Sequence, residues 1–355
     1  MRFIIEALDV DENDVCYCAF TGKAAEVLRK KGNKNACTLH KLLYDSFPRP
    51  GGGFFRKPKQ YLEYKVVVVD ECSMIPKSMV DMLLNHKIFI VFLGDPGQLP
   101  MIDKKESHDL LLHPHIFLDE VMRQAAESEI IQLTMKIRKD EDIPYIKGKD
   151  VMVIPKKDFV TGHLLWADAV ICATNATRHA LNNQMRKLLG FEGELNHNEK
   201  LLIKRNYWED LNAEGDALVN GTIVTVKNPF NSFIMIPNYI KNDRHRIPTI
   251  MCDLTPEIGS DYSSINIDKD FLLHECACVD WRISYRLGQL KNKIGDILPK
   301  QATYGYALTG HSAQGSQWSK VVVIEENFPF DKKEHARWLY TCCTRPEKQL
   351  VLIRD

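Results

Sequence analysis

The sequence predicts an α/β protein built on parallel sheets, and three observations support this prediction. Four consecutive valines, Val66–Val69, end in Asp70 and Glu71, and a second apolar run, IFIVFLG, ends in Asp95. Unbroken Val/Ile/Phe runs are typical of strands buried on both faces of a helix-covered parallel sheet. Further on, ADAVICATNATRHALNNQMRKLLG has the pattern of a strand, a polar turn and a helix, as at the start of a second such sheet.

The composition is that of an ordinary globular chain. Its 355 residues allow two or three domains, and 47 Lys and Arg balance 47 Asp and Glu. This balance excludes a histone-like polycation but leaves room for a local basic groove. No apolar segment is long enough to cross a bilayer and no secretory signal follows Met1, so we expect a soluble cytoplasmic protein without a membrane partner. The ten cysteines include no C-x-x-C pair, and we expect reduced core thiols.

The N-terminal segments predict alternating helices and strands. RFIIEAL has the pattern of the back half of an amphipathic helix, without a cap before it, and VCYCAF predicts a strand. A helix should follow from Thr21 to a stop at Gly32, and TLHKLL begins at Thr38. The FTGKAA segment lacks the phosphate-loop spacing G-x-x-x-x-G-K-[ST], and that motif occurs nowhere in the sequence.

The acidic residues that end the two apolar runs predict a ligand site. Open α/β sheets bind ligands at the carboxyl ends of their strands. An Asp-Glu pair there is the usual place for a Mg²⁺ contact and a water-orienting carboxylate in a nucleotide hydrolase. For Asp70 and Glu71 alone, a satisfied carboxylate pair that caps the next helix would be the better explanation. The GDPGQLP segment one strand later favours the hydrolase.

Six segments, taken in order, resemble the motifs of superfamily 1 DNA helicases, most closely the RecD-like branch that includes phage Dda-like enzymes. They are AFTGKAAEVLRKKG with TLHKLL, VVVVDECSM, FLGDPGQLP, LDEVMRQ, TGHSAQGSQWSKVVVIEE and LYTCCTRPEKQLVLI. The resemblance spans nearly the whole chain. The family's Walker A loop is not among these segments, and we expect that the sequence is cut just after it, within the helix that RFIIEAL would complete.

The resemblance implies two RecA-like lobes with two insertions. The first lobe would span residues 1–136, truncated before its phosphate-loop strand, with a pin insertion at 47–65. The second lobe would comprise 137–204 and 303–355, and a β-rich, barrel-like domain would occupy 205–302. Within the second lobe, the segment from roughly 137 to 158, which contains KDEDIPYIKGKD, is interpreted as a connection, and Asn182 and Arg186 as surface polar residues.

The resemblance also implies ATP and Mg²⁺ as cofactors and assigns roles at the catalytic site. Asp70 would contact Mg²⁺, Glu71 would orient the attacking water, and Gln98 would sense the γ-phosphate. Arg123 and Arg345 would supply positive charge from the opposite lobe. The remaining nucleotide-binding residues implied are Asp95, Gln314, Gly315 and Gln317.

Single-stranded DNA is the implied partner. The residues implied to bind it are Thr21, Gly22, Lys23, Thr38, His40, His311 and Ser312. For Phe54 and Phe55, two interpretations stay open. They either stack on a base at a duplex junction, with neighbouring cations near phosphates, or belong to an exposed insertion loop.

Three residues depart from the family pattern. Ser312 stands where relatives usually have Lys, Gln317 where they have Glu, and Pro346 follows Arg345 in place of Ala. We expect the first change to weaken a DNA contact and the second a ribose contact. Pro346 should push Arg345 out of helical geometry.

The expected function is an ATP-dependent DNA helicase that moves 5′ to 3′ on single-stranded DNA, in replication, recombination or repair, with a phage in a bacterial host as one source. The chain would need a segment bearing the phosphate loop, either on a separate polypeptide or missed in gene prediction. The alternatives are a hydrolysis-dead protein that binds single-stranded DNA or regulates, and a decayed fragment.

Overall fold

The computed structural model describes residues 2–48, 54–100, 104–118, 127–213, 217–236, 245–257, 259–275, 298–327 and 331–355. Two compact units form. One comprises Met1–Leu43, Lys59–Leu181 and Ala307–Asp355, and the other Tyr44–Pro58 and Asn182–Tyr306. Within the described ranges, no helix is both long and apolar enough to cross a membrane.

The strands are numbered in chain order. They are β1 (Val15–Ala19), β2 (Cys37–Thr38), β3 (Tyr44–Pro48), β4 (Phe54–Pro58), β5 (Val66–Asp70), β6 (Phe89–Phe92), β7 (Ile146–Lys147), β8 (Val151–Pro155), β9 (Ala169–Cys172), β10 (Lys200–Ile203), β11 (Tyr207–Leu211), β12 (Ala217–Leu218), β13 (Ile223–Ile236), β14 (His245–Pro256), β15 (Tyr262–Asp268), β16 (Ala302–Tyr304), β17 (Ala307–Thr309), β18 (Trp318–Ile324) and β19 (Pro346–Arg354). The α-helices are Arg2–Ala7, Gly22–Lys30, Leu39–Leu43, Lys77–Asn85, Glu129–Arg138, Thr161–Trp166, Asn175–Leu188, Lys269–His274, Gly310–Ala313 and Lys332–Cys343.

The first sheet is parallel, with strand order β2-β1-β5-β6. All four valines of β5 are buried, and the first helix packs Ile5 against Val15, Val66 and Val68. The expectation of burial on both faces is confirmed for β5 but is wrong for β6. That strand lies at the edge of the sheet in the described part of the chain, so Phe89 is 51% exposed.

The second sheet belongs to the same unit and has the order β17-β9-β18-β19-β8-β7. Its neighbours are parallel except for the β7–β8 pair. The interpretation of residues 137–158 as a connection is wrong because β8 pairs along its length with β19. The short VMVI run is apolar enough for an inner strand, but its charged flanks obscured it. With two parallel sheets and covering helices, the predicted α/β class is confirmed.

The second unit contains an antiparallel sheet with the order β15-β14-β13-β10-β16. Strand β10, expected in the second lobe, joins this sheet, as does β16, which spans the expected boundary between residues 302 and 303. Shorter antiparallel pairs are β11–β12 and β3–β4, the latter within and just before the predicted pin.

Two polar residues of this unit are not on the surface, so their interpretation as surface residues is wrong. Asn182 is 2% exposed and accepts a hydrogen bond from the Tyr306 backbone N–H at 3.0 Å. Arg186 Nε lies 2.5 Å from Oε1 of Glu199, whose side chain is fully buried. Both residues sit on a helix whose periodicity cannot show which face a partner strand covers.

Candidate functional site

The candidate site begins at the carboxyl end of β5. Asp70 ends the strand, and Glu71 follows in the left-handed conformation with φ 52° and ψ 46°. The Glu71 backbone N–H donates to Asp70 Oδ1 at 3.0 Å, which fixes the Asp70 carboxylate relative to the backbone at Glu71. A left-handed residue other than glycine costs roughly 1–2 kcal/mol. The fold therefore stabilises an unfavourable backbone geometry in order to present Glu71.

The electrostatic environment of Glu71 combines groups from both parallel sheets. Burial raises the pKa of Glu71, and repulsion from Asp70 and Asp95 raises it further. The positive charge of Arg345 and a hydrogen bond with Gln98 act in the opposite direction. A carboxylate with a raised pKa is a better proton acceptor than an ordinary one.

Asp95 organises the loop after β6. Its Oδ1 accepts from the Gly97 backbone N–H at 2.8 Å, and its Oδ2 accepts from the Tyr340 hydroxyl at 2.6 Å. Arg138 Nη1 lies 3.4 Å from Oδ1. A Cβ at Gly97 would come within 3.2 Å of both Asp95 and the Tyr340 ring, so a larger residue would make close contacts in this turn. Both Asp95 oxygens thus have protein partners, in the loop itself and on the helix Lys332–Cys343.

The same loop is bonded to the second sheet through Leu99. The Leu99 backbone N–H donates to Thr341 Oγ1 at 2.8 Å, and the Leu99 carbonyl accepts from Gln314 Nε2 at 2.9 Å. Both contacts are buried. One residue of the GDPGQLP loop therefore holds the helix Lys332–Cys343 and the segment around Gln314 together.

Arg345 lies between that helix and β19. The helix ends at Cys343 and Pro346 opens the strand, so Arg345 is outside helical geometry, as the proline predicts. Its Nε donates to the Thr341 carbonyl and its Nη2 to Thr344 Oγ1, both at 2.9 Å. Burial lowers the pKa of Arg345, which nevertheless stays charged in proteins.

The strand-binding candidates of the first sheet lie beside Gly315 and Trp318. A Cβ at Gly315, whose φ is 73°, would be 3.5 Å from Thr21 Oγ1. Lys23 Nζ is 5.2 Å from the ring centre of Trp318. Thr21 Oγ1 also accepts from the Ala24 backbone N–H at 3.2 Å and so caps the helix that begins at Gly22.

The remaining predicted residues have varied surroundings. Thr38 Oγ1 accepts from the Lys41 backbone N–H at 3.2 Å, and the His40 ring lies 5.7 Å from that of Phe20. Burial lowers the pKa of His311, and Ser312 Oγ is 3.0 Å from Thr309 Oγ1. Gln317 is exposed.

Three predicted residues cannot be placed fully. Arg123 lies outside the described residues. Phe54 and Phe55 belong to β4, with their backbones paired to Pro48 and Phe47, but their side chains are outside the described part of the structure.

Sequence reasoning missed Arg138, Tyr340 and Thr341. The first two contact Asp95 and the third contacts Leu99, across separations of up to 245 residues. The only available signal was a tyrosine and a threonine inside the otherwise apolar WLYTCC segment. Nothing local shows which loop they would meet.

Asp70 is a suitable Mg²⁺ ligand. One Asp70 oxygen accepts the Glu71 N–H. The residue is partly exposed and lines a groove of about 450 Å³ together with Tyr17, Lys31 and Asn33, and the lining of this groove does not include Glu71, Gln98 or Arg345. Mg²⁺ is commonly held by one or two carboxylates and several waters, and the Asp70 carboxylate is of that ligand type.

Two family models match the chain. An AAA domain model matches residues 1–156, and a UvrD-like helicase C-terminal domain model matches residues 304–353. The first covers the first sheet and the GDPGQLP loop, and the second covers Gln314 and Arg345.

Relatives extend these matches over almost the whole chain. Uncharacterized protein R530 of Acanthamoeba polyphaga mimivirus is 25% identical, with 98% of this chain and 90% of R530 covered. The ATP-dependent RecD2 DNA helicase of Deinococcus radiodurans is 26% identical over 94% of this chain and 42% of its own length. One solved structure concerns DNA unwinding at forked double-stranded DNA by two coordinating Pif1 helicases. Its comparison with this chain gives a TM-score of 0.50 and 14% sequence identity. It covers 99% of this chain and 83% of the Pif1 chain, and indicates a similar fold.

Proposed function

We propose that the chain, which belongs to the RecD/Pif1-like helicases of superfamily 1, provides the ATP-dependent motor of a DNA helicase that moves 5′ to 3′ along single-stranded DNA. One observation carries the proposal. Glu71, at the end of a first-sheet strand, is bonded to Gln98 and is under the electrostatic influence of Arg345, which precedes a strand of the second sheet. A carboxylate that orients the nucleophile and an arginine that supplies positive charge are recurring parts of enzymes that transfer phosphoryl groups.

Each residue of the site has a proposed task. Bound ATP·Mg²⁺ would supply the phosphoryl group and the divalent charge. Asp70 would hold the metal ion, and Glu71, with its raised pKa, would orient water and accept its proton. Arg345 would stabilise negative charge from the second sheet, and Arg123 is proposed to do the same by family resemblance.

The contacts around Leu99 support a coupling between hydrolysis and DNA binding. Gln314 bonds to Leu99, in the loop that also carries Gln98, and the next residue, Gly315, packs near Thr21. A change near Gln98 therefore reaches a strand-binding candidate through two contacts, Leu99 with Gln314 and Gly315 with Thr21. Buried hydrogen bonds make such a path stiff.

The family resemblance supports further proposals about DNA. Thr21, Lys23 and Thr38 would contact the backbone of a single strand, with His40, His311 and Ser312 beside them. Phe54 and Phe55, on the ribbon β3–β4, would stack at a duplex junction. The division into lobes at 1–136, 137–204 and 303–355, with 205–302 inserted, also stays a proposal.

DNA-stimulated ATP hydrolysis by the purified chain tests the catalytic proposal. We expect Glu71→Gln to lower the rate at least about 100-fold, in the range that removing a general base produces. Asp81→Asn is the matched control. Its carboxylate pairs with Lys77 on an exposed helix face, with both side chains more than half exposed. Equal rates for Glu71→Gln and the unmodified chain would remove Glu71 from the mechanism.

Direction of travel is tested separately with two partial duplexes. We expect strand separation with a 5′ single-stranded tail and none with a 3′ tail. The reverse result would contradict the proposed direction while leaving the site assignment intact.

A second candidate function applies to the chain taken by itself. The 355 residues contain the strand-binding segments but no G-x-x-x-x-G-K-[ST] motif, whose backbone and lysine hold the β- and γ-phosphates in this class of enzyme. This observation favours DNA binding without hydrolysis. Saturable binding of a labelled single strand, without ATP hydrolysis above the rate measured in the absence of protein, would identify this second function.

A further inference from the structure

Three thiols converge at the edge of the first sheet. Cys16 and Cys18 are two residues apart on β1, so their side chains lie on the same face of that strand. Cys37 on β2 is the register partner of Cys18 in the parallel β1–β2 pair. The site combines a C-x-C pair on one strand with a third cysteine on the neighbouring strand. This spacing differs from the C-x-x-C pattern of common metal sites, so the sequence alone did not indicate it.

The sulfur atoms have the spacing of metal ligands. The Sγ separations are 3.4 Å for Cys16 and Cys18, 3.6 Å for Cys16 and Cys37, and 3.8 Å for Cys18 and Cys37. Three thiolates at about 2.3 Å from a tetrahedral Zn²⁺ are about 3.8 Å apart. A disulfide would need about 2.0 Å, and all three thiols are free. Among the described residues, these three form the one His/Cys/Asp/Glu group of three or more that is close enough to hold an ion.

We propose that Cys16, Cys18 and Cys37 form a binding site for a thiophilic d¹⁰ cation of the Zn²⁺ class. Cys16 and Cys18 are fully buried, while Cys37 is only partly buried and gives the ion access from solvent. The fourth position is open to water or to the Asn35 carbonyl oxygen, 3.3 Å from Cys16 Sγ.

The three thiols shift one another's protonation in opposite directions. Hydrogen bonds from Cys16 and Cys18 lower the pKa of Cys37, whereas the pKa of both Cys16 and Cys18 is raised within the same cluster. The proposal rests on the geometry of the three sulfurs and not on these shifts.

Metal binding at this point would connect two strand-binding candidates. Strand β1 leads into Thr21–Lys23, and β2 leads into Thr38 and His40. Strands β1 and β2 are paired at only two residue positions. An ion bound between them would therefore add a cross-link to a short backbone pairing. The site is a separate proposal from hydrolysis and does not depend on it.

Cobalt titration of the reduced, full-length chain tests the site. Co²⁺ is a spectroscopic substitute for Zn²⁺, and we expect one equivalent to produce a thiolate-to-metal charge-transfer band and the visible bands of tetrahedral coordination. One equivalent of Zn²⁺ should then abolish both. A ligand that binds the folded state at about 100 times its Kd stabilises it by about 2.7 kcal/mol, so Zn²⁺ should also raise the Tm.

Substitutions decide whether the three cysteines are the ligands. Cys37→Ala and Cys18→Ala should each lose the charge-transfer band, and Cys252→Ala should retain it. Cys252 is equally buried and lies on β14, away from the cluster. If Cys18→Ala does not fold, Cys37→Ala decides, because that side chain is only partly buried. An unchanged band in Cys37→Ala, no band in the reduced unmodified chain, or a disulfide that mass spectrometry still detects within the cluster after treatment with a reductant would overturn the proposal.

Discussion

At the scale of single residues, Glu71 illustrates how position changes the properties of a side chain. Its sequence neighbours indicate a strand end and nothing more. Its raised pKa comes first from burial and then from Asp70 and Asp95, and the second of these is brought close by the fold. The left-handed backbone at Glu71 is likewise absent from any local pattern. Such unfavourable geometry persists where surrounding contacts over-determine it.

Glu71 should therefore cost stability at neutral pH. Because its folded pKa lies above the ordinary value of 4.5, the folded state disfavours the ionised form. The contribution of Glu71 to the free energy of unfolding is fully present below the pKa that Glu71 has in the unfolded chain. This contribution is lost as the pH rises through the pKa of Glu71 in the folded state. We expect Glu71→Gln to have a higher Tm than the unmodified chain at about pH 7.5, with the difference shrinking toward about pH 4.5. Thermal unfolding at several pH values measures this.

Asp81→Asn provides the comparison for that measurement. Its exposed pair with Lys77 should change the Tm little at any pH in the same range, since exposed ion pairs contribute about 0–1 kcal/mol. A Tm difference for Glu71→Gln that grows as the pH falls would contradict the direction of the shift.

At the scale of elements, the loop after β6 depends on partners that are distant in sequence. Thr341 accepts the buried Leu99 N–H and also donates to the Arg337 carbonyl at 2.8 Å. Thr341→Val keeps the side-chain shape but leaves the Leu99 N–H unsatisfied. A buried group without a partner costs roughly 1–3 kcal/mol. We expect that loss in the free energy of unfolding, with a reduced ATPase rate if the proposed function holds.

Thr134→Val is the matched control for this prediction. Thr134 is also buried in a helix, but its hydroxyl donates only to the Ile131 carbonyl of its own helix at 2.9 Å. Removing the Thr134 hydroxyl should therefore lower the free energy of unfolding by less than removing the Thr341 hydroxyl. Denaturant unfolding measures both effects. Equal destabilisation by the two substitutions would show that the hydrogen bond from Leu99 to Thr341 adds nothing to the free energy of unfolding.

Elements also show how far the sequence alone could lead. The valine run of β5 and the alternation of helices and strands follow from periodicity, and the two matching models, of an AAA domain and a UvrD-like helicase C-terminal domain, support the resemblance predicted from the motifs. Strand β8 was missed because its apolar run is short and its flanks are charged. The roles of Arg138, Tyr340 and Thr341, and the convergence of Cys16 and Cys18 with Cys37, depend on which strands and helices become neighbours. Periodicity gives faces of elements but not their partners.

At the scale of the whole molecule, net charge is zero, so any DNA affinity must come from local cations. Lys23 is the clearest candidate on the first sheet, because it lies at the end of β1 beside Trp318. Each phosphate contact made by a cation to a single strand contributes about 0.7 to the slope of log K against log salt concentration. Few contacts on a neutral protein should give a shallow slope.

Lys23→Ala should weaken binding to a labelled oligothymidine and reduce this salt slope by about 0.7, because one counterion-releasing contact is lost. Fluorescence anisotropy titrations at several salt concentrations measure both quantities. Lys77→Ala removes a lysine of the same unit that pairs with Asp81 on an exposed face, and it should leave slope and affinity unchanged. If Lys23→Ala lowers affinity without changing the slope, Lys23 acts through its contact with Trp318 and not through phosphate. If neither quantity changes, Lys23 is not part of the DNA-binding surface.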